Sequence, residues 1–182
     1  MEAVLPCFST SLRRRKEAWA VHANRDRLSP SSNDHTMDNL KLRKASADDS
    51  ELAYQTKKAA FKTYVEQTFG WDEAEQRQLH DMRFPSQEFY VIQASGIDVG
   101  ILAMVREPDC VKINQLFIRP EYQNGGIGLA CMTHVMKDAE ALGLPVRLQV
   151  LKVNSRAIVF YQRLGFNQVG ENDTHLLMEK YP

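Results

Sequence analysis

Between an apolar, β-branched run, Val111 to Ile118, and a run of helix formers, Leu129 to Leu142, the chain reads Gln123-Asn124-Gly125-Gly126-Ile127-Gly128. A glycine-rich turn that opens a helix leaves backbone N–H groups unpaired at the positive end of the helix dipole. Such a turn binds anions, and phosphate most naturally. Glycine serves there because a Cβ would hold the phosphate off the backbone and forbid positive φ. Taken alone, the segment reads equally as a helix that begins after a flexible turn. Two common phosphate loops do not match it. A Walker loop ends in Gly-Lys-Ser/Thr, whereas Leu129 and Ala130 follow Gly128. A dinucleotide fingerprint needs a third glycine where Cys131 stands, and an acidic residue near the positions held by Gln149 and Val150.

The pattern that is met is Gln/Arg-x-x-Gly-x-Gly/Ala, at Gln123, Gly126 and Gly128. Upstream stands Leu116-Phe117-Ile118-Arg119-Pro120-Glu121-Tyr122. Downstream come Val146-Arg147-Leu148-Gln149-Val150 and then Asn154-Ser155-Arg156-Ala157-Ile158-Val159-Phe160-Tyr161-Gln162-Arg163-Leu164-Gly165-Phe166. In this order and spacing the series resembles the GNAT superfamily of acyl-CoA-dependent N-acyltransferases. The resemblance is close from Val111 to Phe166 and extends in outline from Leu40 to the C-terminus. Phe61 to Gln76 is similar to one bacterial branch of that superfamily. The resemblance implies an enzyme that moves an acetyl group from acetyl-CoA to a primary amine by direct attack in a ternary complex. The acceptor would be a small-molecule amine or a protein amine.

Residue by residue, the resemblance implies that backbone N–H groups of Gln123, Asn124, Gly125, Gly126, Ile127 and Gly128 hold the CoA pyrophosphate. Main-chain groups of Phe117 and Ile118 would bind the pantetheine arm and polarise the thioester carbonyl. Asn154 corresponds to the family's cofactor-contacting Asn; by itself it is a helix N-cap, and the two roles are compatible. Tyr161 corresponds to the family's tyrosine acid near the CoA sulfur, where a phenol can protonate a thiolate. By itself it reads as a core aromatic beside Phe160. A general base is missing from its usual place, because the matching positions hold Lys112 and Asn114. Proton removal would then run through water, or the amine would arrive neutral; Glu66, Asp72, Glu73 and His80 are bases without a matching position. Tyr64, Phe69 and Trp71 would wall the acceptor pocket, with Glu66, Asp72, Glu73 and Gln76 receiving a cationic amine. Helix-junction packing or a solvated face is the plainer reading of each. The missing base also admits another class, a catalytically weak acyl-CoA sensor or scaffold of the same fold.

These residues need elements to hold them, and the chain supplies a consistent set. Leu40 to Lys44 reads as a strand, Ser46-Ala47-Asp48-Asp49 as a helix start, and the helix runs to about Glu66. Asp72 opens a second helix toward Met82. Strands follow at Phe89 to Ala94, Val99 to Arg106 and Val111 to Ile118, then the loop and its helix. Val146 to Leu151 is a strand, Asn154 caps a helix ended by Gly165, and Asn167 to Val169 with His175 to Lys180 form a hairpin. The order is α+β: a GNAT-like mixed, mostly antiparallel central sheet with helices on both faces. Within the central strand, Val111 and Ile113 keep one parity and Leu116 and Ile118 the other, which predicts a β-bulge. In the superfamily a bulge here splays the strand from its neighbour and opens an edge to pantetheine.

The whole chain, at 182 residues, has a one-domain length. Zero formal net charge gives no electrostatic case for nucleic acid or anionic membrane. The three cysteines, Cys7, Cys110 and Cys131, lack ligand spacing, so free thiols in a reducing cytoplasm are expected and a metal site is not. No apolar run reaches membrane-spanning length. A homodimer is compatible with this reading. Residues 1–36 are expected to be a disordered extension ahead of a 37–182 domain, being basic at Leu12-Arg13-Arg14-Arg15-Lys16 and Ser/Pro-rich from Leu28. Met37 as the true start, a transit peptide (opposed by Glu2, Glu17 and Asp26) and a basic anchor are the alternatives.

Overall fold

The computed structural model describes residues 40–182; the expected extension, residues 1–36, lies outside them. In chain order come β1 (Leu40–Lys44), α1 (Ser50–Phe69), α2 (Glu73–Arg83), β2 (Glu88–Ala94), β3 (Ile97–Glu107), β4 (Cys110–Ile118), α3 (Ile127–Ala141), β5 (Val146–Leu151), α4 (Ser155–Arg163), β6 (Asn167–Glu171) and β7 (His175–Lys180). The strands form one sheet in the order β1-β2-β3-β4-β5-β7-β6. β4 and β5 pair in parallel and every other neighbouring pair is antiparallel. Among the described residues, no helix is long and apolar enough to cross a membrane.

Each face of the sheet carries its own apolar cluster, as a half-apolar helix must bury its stripe against something. On one face Leu102, Met104, Val111, Ile113, Leu148 and Val150 pack with Ile127, Met132, Val135 and Tyr161 of α3 and α4. On the other, Phe89, Ile101, Ala103 and Phe117 pack with Ala53 of α1 and with Phe84. The helix starts follow local capping. The Asp49 carboxylate accepts from the Ser46 N–H at 2.7 Å and from both Arg43 terminal nitrogens at 2.9 and 2.7 Å. That pairing ties β1 to the entry of α1 and holds the Asp49 carboxyl far below the usual carboxylate range. Asp72 caps α2 by accepting from the Glu75 N–H at 2.8 Å. α1 runs to Phe69, a turn beyond the expected end, and stops where Gly70 takes φ 79°.

The parity change in β4 is a bulge. Ala103 faces Gln115 and Met104 faces Ile113, so Asn114 has no partner across the ladder. The extra residue returns Leu116 and Ile118 to the face of Val111 and Ile113, and turns Phe117 toward α1. Phe117 is apolar because that second face is covered too.

Gly100 of β3 sits opposite Ile118, where a Cβ would meet the Phe117 carbonyl oxygen at 2.5 Å and Ile118 Cδ1 at 2.9 Å. Backbone cannot yield as a side chain does, so Gly100→Ala must push β4 away. We expect a loss of about 2 kcal/mol. For a domain of this size that is a fall of about 4–8 °C in Tm, measurable by thermal denaturation; an unchanged Tm would show that the two strands separate freely.

Candidate active site

The sheet is open at its centre. β4 and β5 pair only through Val111–Val146, Lys112–Arg147 and Ile113–Leu148. Beyond that point β4 stays with β3 as far as Ile118, and β5 stays with β7 as far as Leu151. Pairing ends at the bulged Asn114, since a bulge bends its strand and sharpens the local twist. Two strand edges therefore face one another without a shared ladder, and their backbone groups are available to a third extended chain.

At the end of β4, on the α3 face, the chain turns into the glycine loop. Gln123 Nε2 donates to the Ile118 carbonyl at 2.8 Å, fastening the loop to the strand end. Asn124 (φ 66°) and Gly126 (φ 79°, ψ −6°) are left-handed, and Gly126 is the N-cap of α3. The Ala130 N–H donates to the Gly126 carbonyl at 3.0 Å. The N–H groups of Ile127, Gly128 and Leu129 precede that first helical bond and point out of the helix start. Gly128 lies against α4, where a Cβ would stand 3.5 Å from the Phe160 ring. Gly125 has neither constraint. Arg156, in the first turn of α4, donates to Asn124 Oδ1 at 2.6 Å and brings a guanidinium to the loop. No motif singles out Arg156, two residues after the Asn154 cap, and only the fold brings it to the loop.

Asn154 acts as the N-cap of α4, its Oδ1 accepting from the Ala157 N–H at 3.1 Å. Tyr161 is buried among Phe160 and Phe166, with ring centroids 5.1 and 5.6 Å away in edge-on contact. Burial pushes its phenol far above the ordinary value of 10. The phenol therefore stays protonated at neutral pH. Cys131, buried on α3, is pushed up to about 12 and stays a neutral thiol.

On the opposite face α1 crosses the opening. The Phe61 ring lies 4.9 Å from Phe117 on β4 and 5.9 Å from Tyr64, and Phe69 stacks 6.4 Å from His175 on β7. Tyr64 thus stands beside the opening. The expected carboxylates have other partners. Glu66 pairs with Lys62 at 3.6 Å, and Asp72 is spent on its cap. Glu73 accepts from Lys58 Nζ at 2.8 Å, Trp71 Nε1 at 2.8 Å and the Tyr54 hydroxyl at 2.9 Å, which together hold its carboxyl near 2. Trp71, Asp72 and Glu73 therefore knit the α1–α2 joint. Asn114 is exposed and donates to Gln87 at 3.2 Å.

His80 is sealed in the same joint, 4% exposed, with Nε2 2.9 Å from the Ser50 carbonyl and the ring against Tyr54, Phe84 and Phe89. Burial lowers its pKa below 6.5 despite the bond to Ser50, which raises it. A depressed histidine binds its proton more readily when unfolded, so its stabilisation is complete above the unfolded value and is lost as pH falls below it. Asp81, Lys57 and Arg77 are the charges nearest in effect. Calorimetry from pH 7.5 down to about 5.5 should show a falling Tm. In His80→Gln the Tm should be lower throughout, without that slope. An equal slope in the variant would assign it to other groups.

A family model described as the acetyltransferase (GNAT) family matches residues 53–166, and the chain belongs to that family. An uncharacterized N-acetyltransferase of Methanocaldococcus jannaschii is 30% identical over 95 residues, covering 48% of this chain. The chain spans 42% of that relative's length. Among solved structures, the PaiA N-acetyltransferase of Thermoplasma acidophilum in complex with coenzyme A shares the fold with TM-score 0.65 at 20% identity, over 79% of this chain and 99% of that one. The ribosomal-protein-S18-alanine N-acetyltransferase of Escherichia coli does so with TM-score 0.61 at 19% identity, over 79% and 94%.

Proposed function

We propose that the protein transfers an acetyl group from acetyl-CoA to a primary amine by direct attack in a ternary complex. The observation that carries this reading is the glycine loop with its outward N–H groups, set at the mouth of the β4–β5 opening on a chain of the GNAT family. The residues present fit the cofactor. The N–H groups from Asn124 to Gly128 would hold the pyrophosphate, reinforced by the Arg156 guanidinium, while the Gln123 N–H donates to the Pro120 carbonyl at 3.3 Å. Backbone groups of Ile118, on the freed edge of β4, would bind the pantetheine arm as an added strand does, whereas the Phe117 carbonyl turns toward Gly100 of β3. Acetyl-CoA supplies the activated acyl group as a thioester. Tyr161 would donate its proton toward the departing sulfur, and Asn154 would keep α4, and so Tyr161, in register with the opening.

Among the described residues, no general base emerges. His80 is sealed in a helix joint, and Glu73 is surrounded by donors. The amine then loses its proton to water, and the rate should rise with pH toward the amine's own pKa. The alternative of a sensor without turnover is favoured by this lack of a base.

Calorimetric titration with acetyl-CoA, with ATP as control, tests the first half. Micromolar binding of acetyl-CoA alone, about −8 kcal/mol, is expected. Absence of binding to folded protein overturns the reading. Thiol release that depends on an added amine separates the enzyme from the sensor.

A further inference from the structure

We infer that Gln115 is the positioning residue for the acceptor amine: its side-chain Oε1 accepts a hydrogen bond from the attacking nitrogen. This rests on the acyltransferase reading above and adds to it the group that orients the nucleophile.

Among the described residues, Gln115 Oε1 is the one side-chain nitrogen or oxygen that is itself wholly covered and has no hydrogen-bond partner. Buried acceptors are nearly always paired, so an orphan marks a place where a donor belongs. Its position says which donor. Gln115 is the first residue after the bulge, past the last β4–β5 pair, at the start of the opening. It lies opposite Ala103, and two residues before Phe117, both members of the cluster facing α1. The glycine loop leads into α3, whose core residues pack on the other face. A cofactor held from the α3 side and threaded through the opening presents its acyl group toward α1, and Gln115 stands on that side. The terminal torsion of a glutamine is broad and soft, so Oε1 can turn to meet an incoming group.

The chemistry fits a neutral amine. Attack uses the nitrogen lone pair, and a bond from one N–H to Oε1 aims that lone pair while leaving it free. A carboxylate would stabilise the ammonium form, which cannot attack. A carboxamide does so far less. The carboxylates of Glu66, Asp72 and Glu73 are held by other partners, and an uncharged acceptor on β4 offers the substrate a polar grip in their stead. In the reaction the nitrogen–carbonyl carbon bond forms, the carbon–sulfur bond breaks, and the nitrogen's proton leaves to water; Gln115 exchanges none.

The test uses the full chain, acetyl-CoA and four amines of different class: n-butylamine, spermidine, Nα-acetyl-lysine amide and alanylglycine. For whichever amine the wild type acetylates, Gln115→Met should raise KM for the amine about tenfold and leave the acetyl-CoA Kd unchanged. Its Tm should equal or exceed that of wild type, because an unpaired buried oxygen is replaced by an apolar group of similar shape. Gln115→Glu keeps an acceptor oxygen, so KM should return to near the wild-type value. The acid limb of its kcat/KM profile should move up by about one pH unit, as the carboxylate holds the ammonium form. An unchanged amine KM in Gln115→Met overturns the inference alone and means that Oε1 holds only a water. A lower Tm with unaltered KM assigns Gln115 to packing and overturns it as well. Failure of the wild type to acetylate any of the amines overturns the acyltransferase reading, and this inference with it.

Discussion

Replacing Tyr161 by Phe is expected to lower kcat by about 100-fold while changing the acetyl-CoA Kd by less than about twofold. The ring remains, with its edge-on contacts to Phe160 and Phe166, so the core loses one oxygen and no volume. Among the described residues the Tyr161 hydroxyl has no hydrogen-bond partner, and the bonds of this residue to Leu164 and Phe166 use its backbone carbonyl. The proposed mechanism does depend on the hydroxyl. Burial holds the phenol protonated well past neutrality, so it is always ready to donate to a departing thiolate. That same elevation means it cannot surrender the proton for good to a thiolate of ordinary basicity, near 8.5. In the proposed mechanism its contribution is a hydrogen bond that strengthens as sulfur gains charge, with solvent completing the transfer. Wild-type kcat should therefore show no loss as pH rises through 10, the point where an exposed phenol would ionise. Full activity in Tyr161→Phe would move the donor role to solvent.

Gly126→Asp should raise the acetyl-CoA Kd by at least about 100-fold. Two causes act there, and they can be separated. At φ 79° a Cβ is strained, at a cost of about 1 kcal/mol, although Asp tolerates this region better than most residues. The larger effect is a carboxylate placed among the N–H groups proposed to hold phosphate, where it would take their hydrogen bonds and repel the ligand. Gly126→Ala carries the strain without the charge and should cost only about fivefold in Kd. Titration calorimetry on both variants, at low and moderate salt, distinguishes the causes because only the charged one is screened. Equal, wild-type affinity in both would remove the loop from cofactor binding.

Much of the scaffold is legible in the residues alone, because local rules and tertiary demands agree there. Asp72 and Asn154 read as caps and are caps. Gly126 reads as a left-handed turn and is one. The apolar parity of Val111, Ile113, Leu116 and Ile118 requires a bulge, and the ladder skips Asn114. The end of α1 was less visible, since Gln67 and Thr68 suit a helix or a turn and Gly70 settles the matter. The need for glycine at position 100 has no local sign at all. It arises from a carbonyl on a different strand, 2.5 Å from where a Cβ would sit.

The acceptor side shows the same division more sharply. Composition around Glu66, Asp72 and Glu73 points to an acidic cleft, because a linear reading sees charges and not their partners. Lys58 and Tyr54 lie fifteen and nineteen residues before Glu73, and only the packing of α2 on α1 brings them to its carboxylate. Gln115 carries no signal in the sequence for the converse reason: an uncharged side chain becomes conspicuous only when burial leaves it without a partner. Periodicity, caps and glycine placement depend on neighbours a few residues away, so the order of strands and helices and the loop before α3 were open to inspection from the outset. Which polar groups are satisfied, and which remain for a substrate, depends on contacts made across the sheet and between helices, and those exist only once the chain has folded.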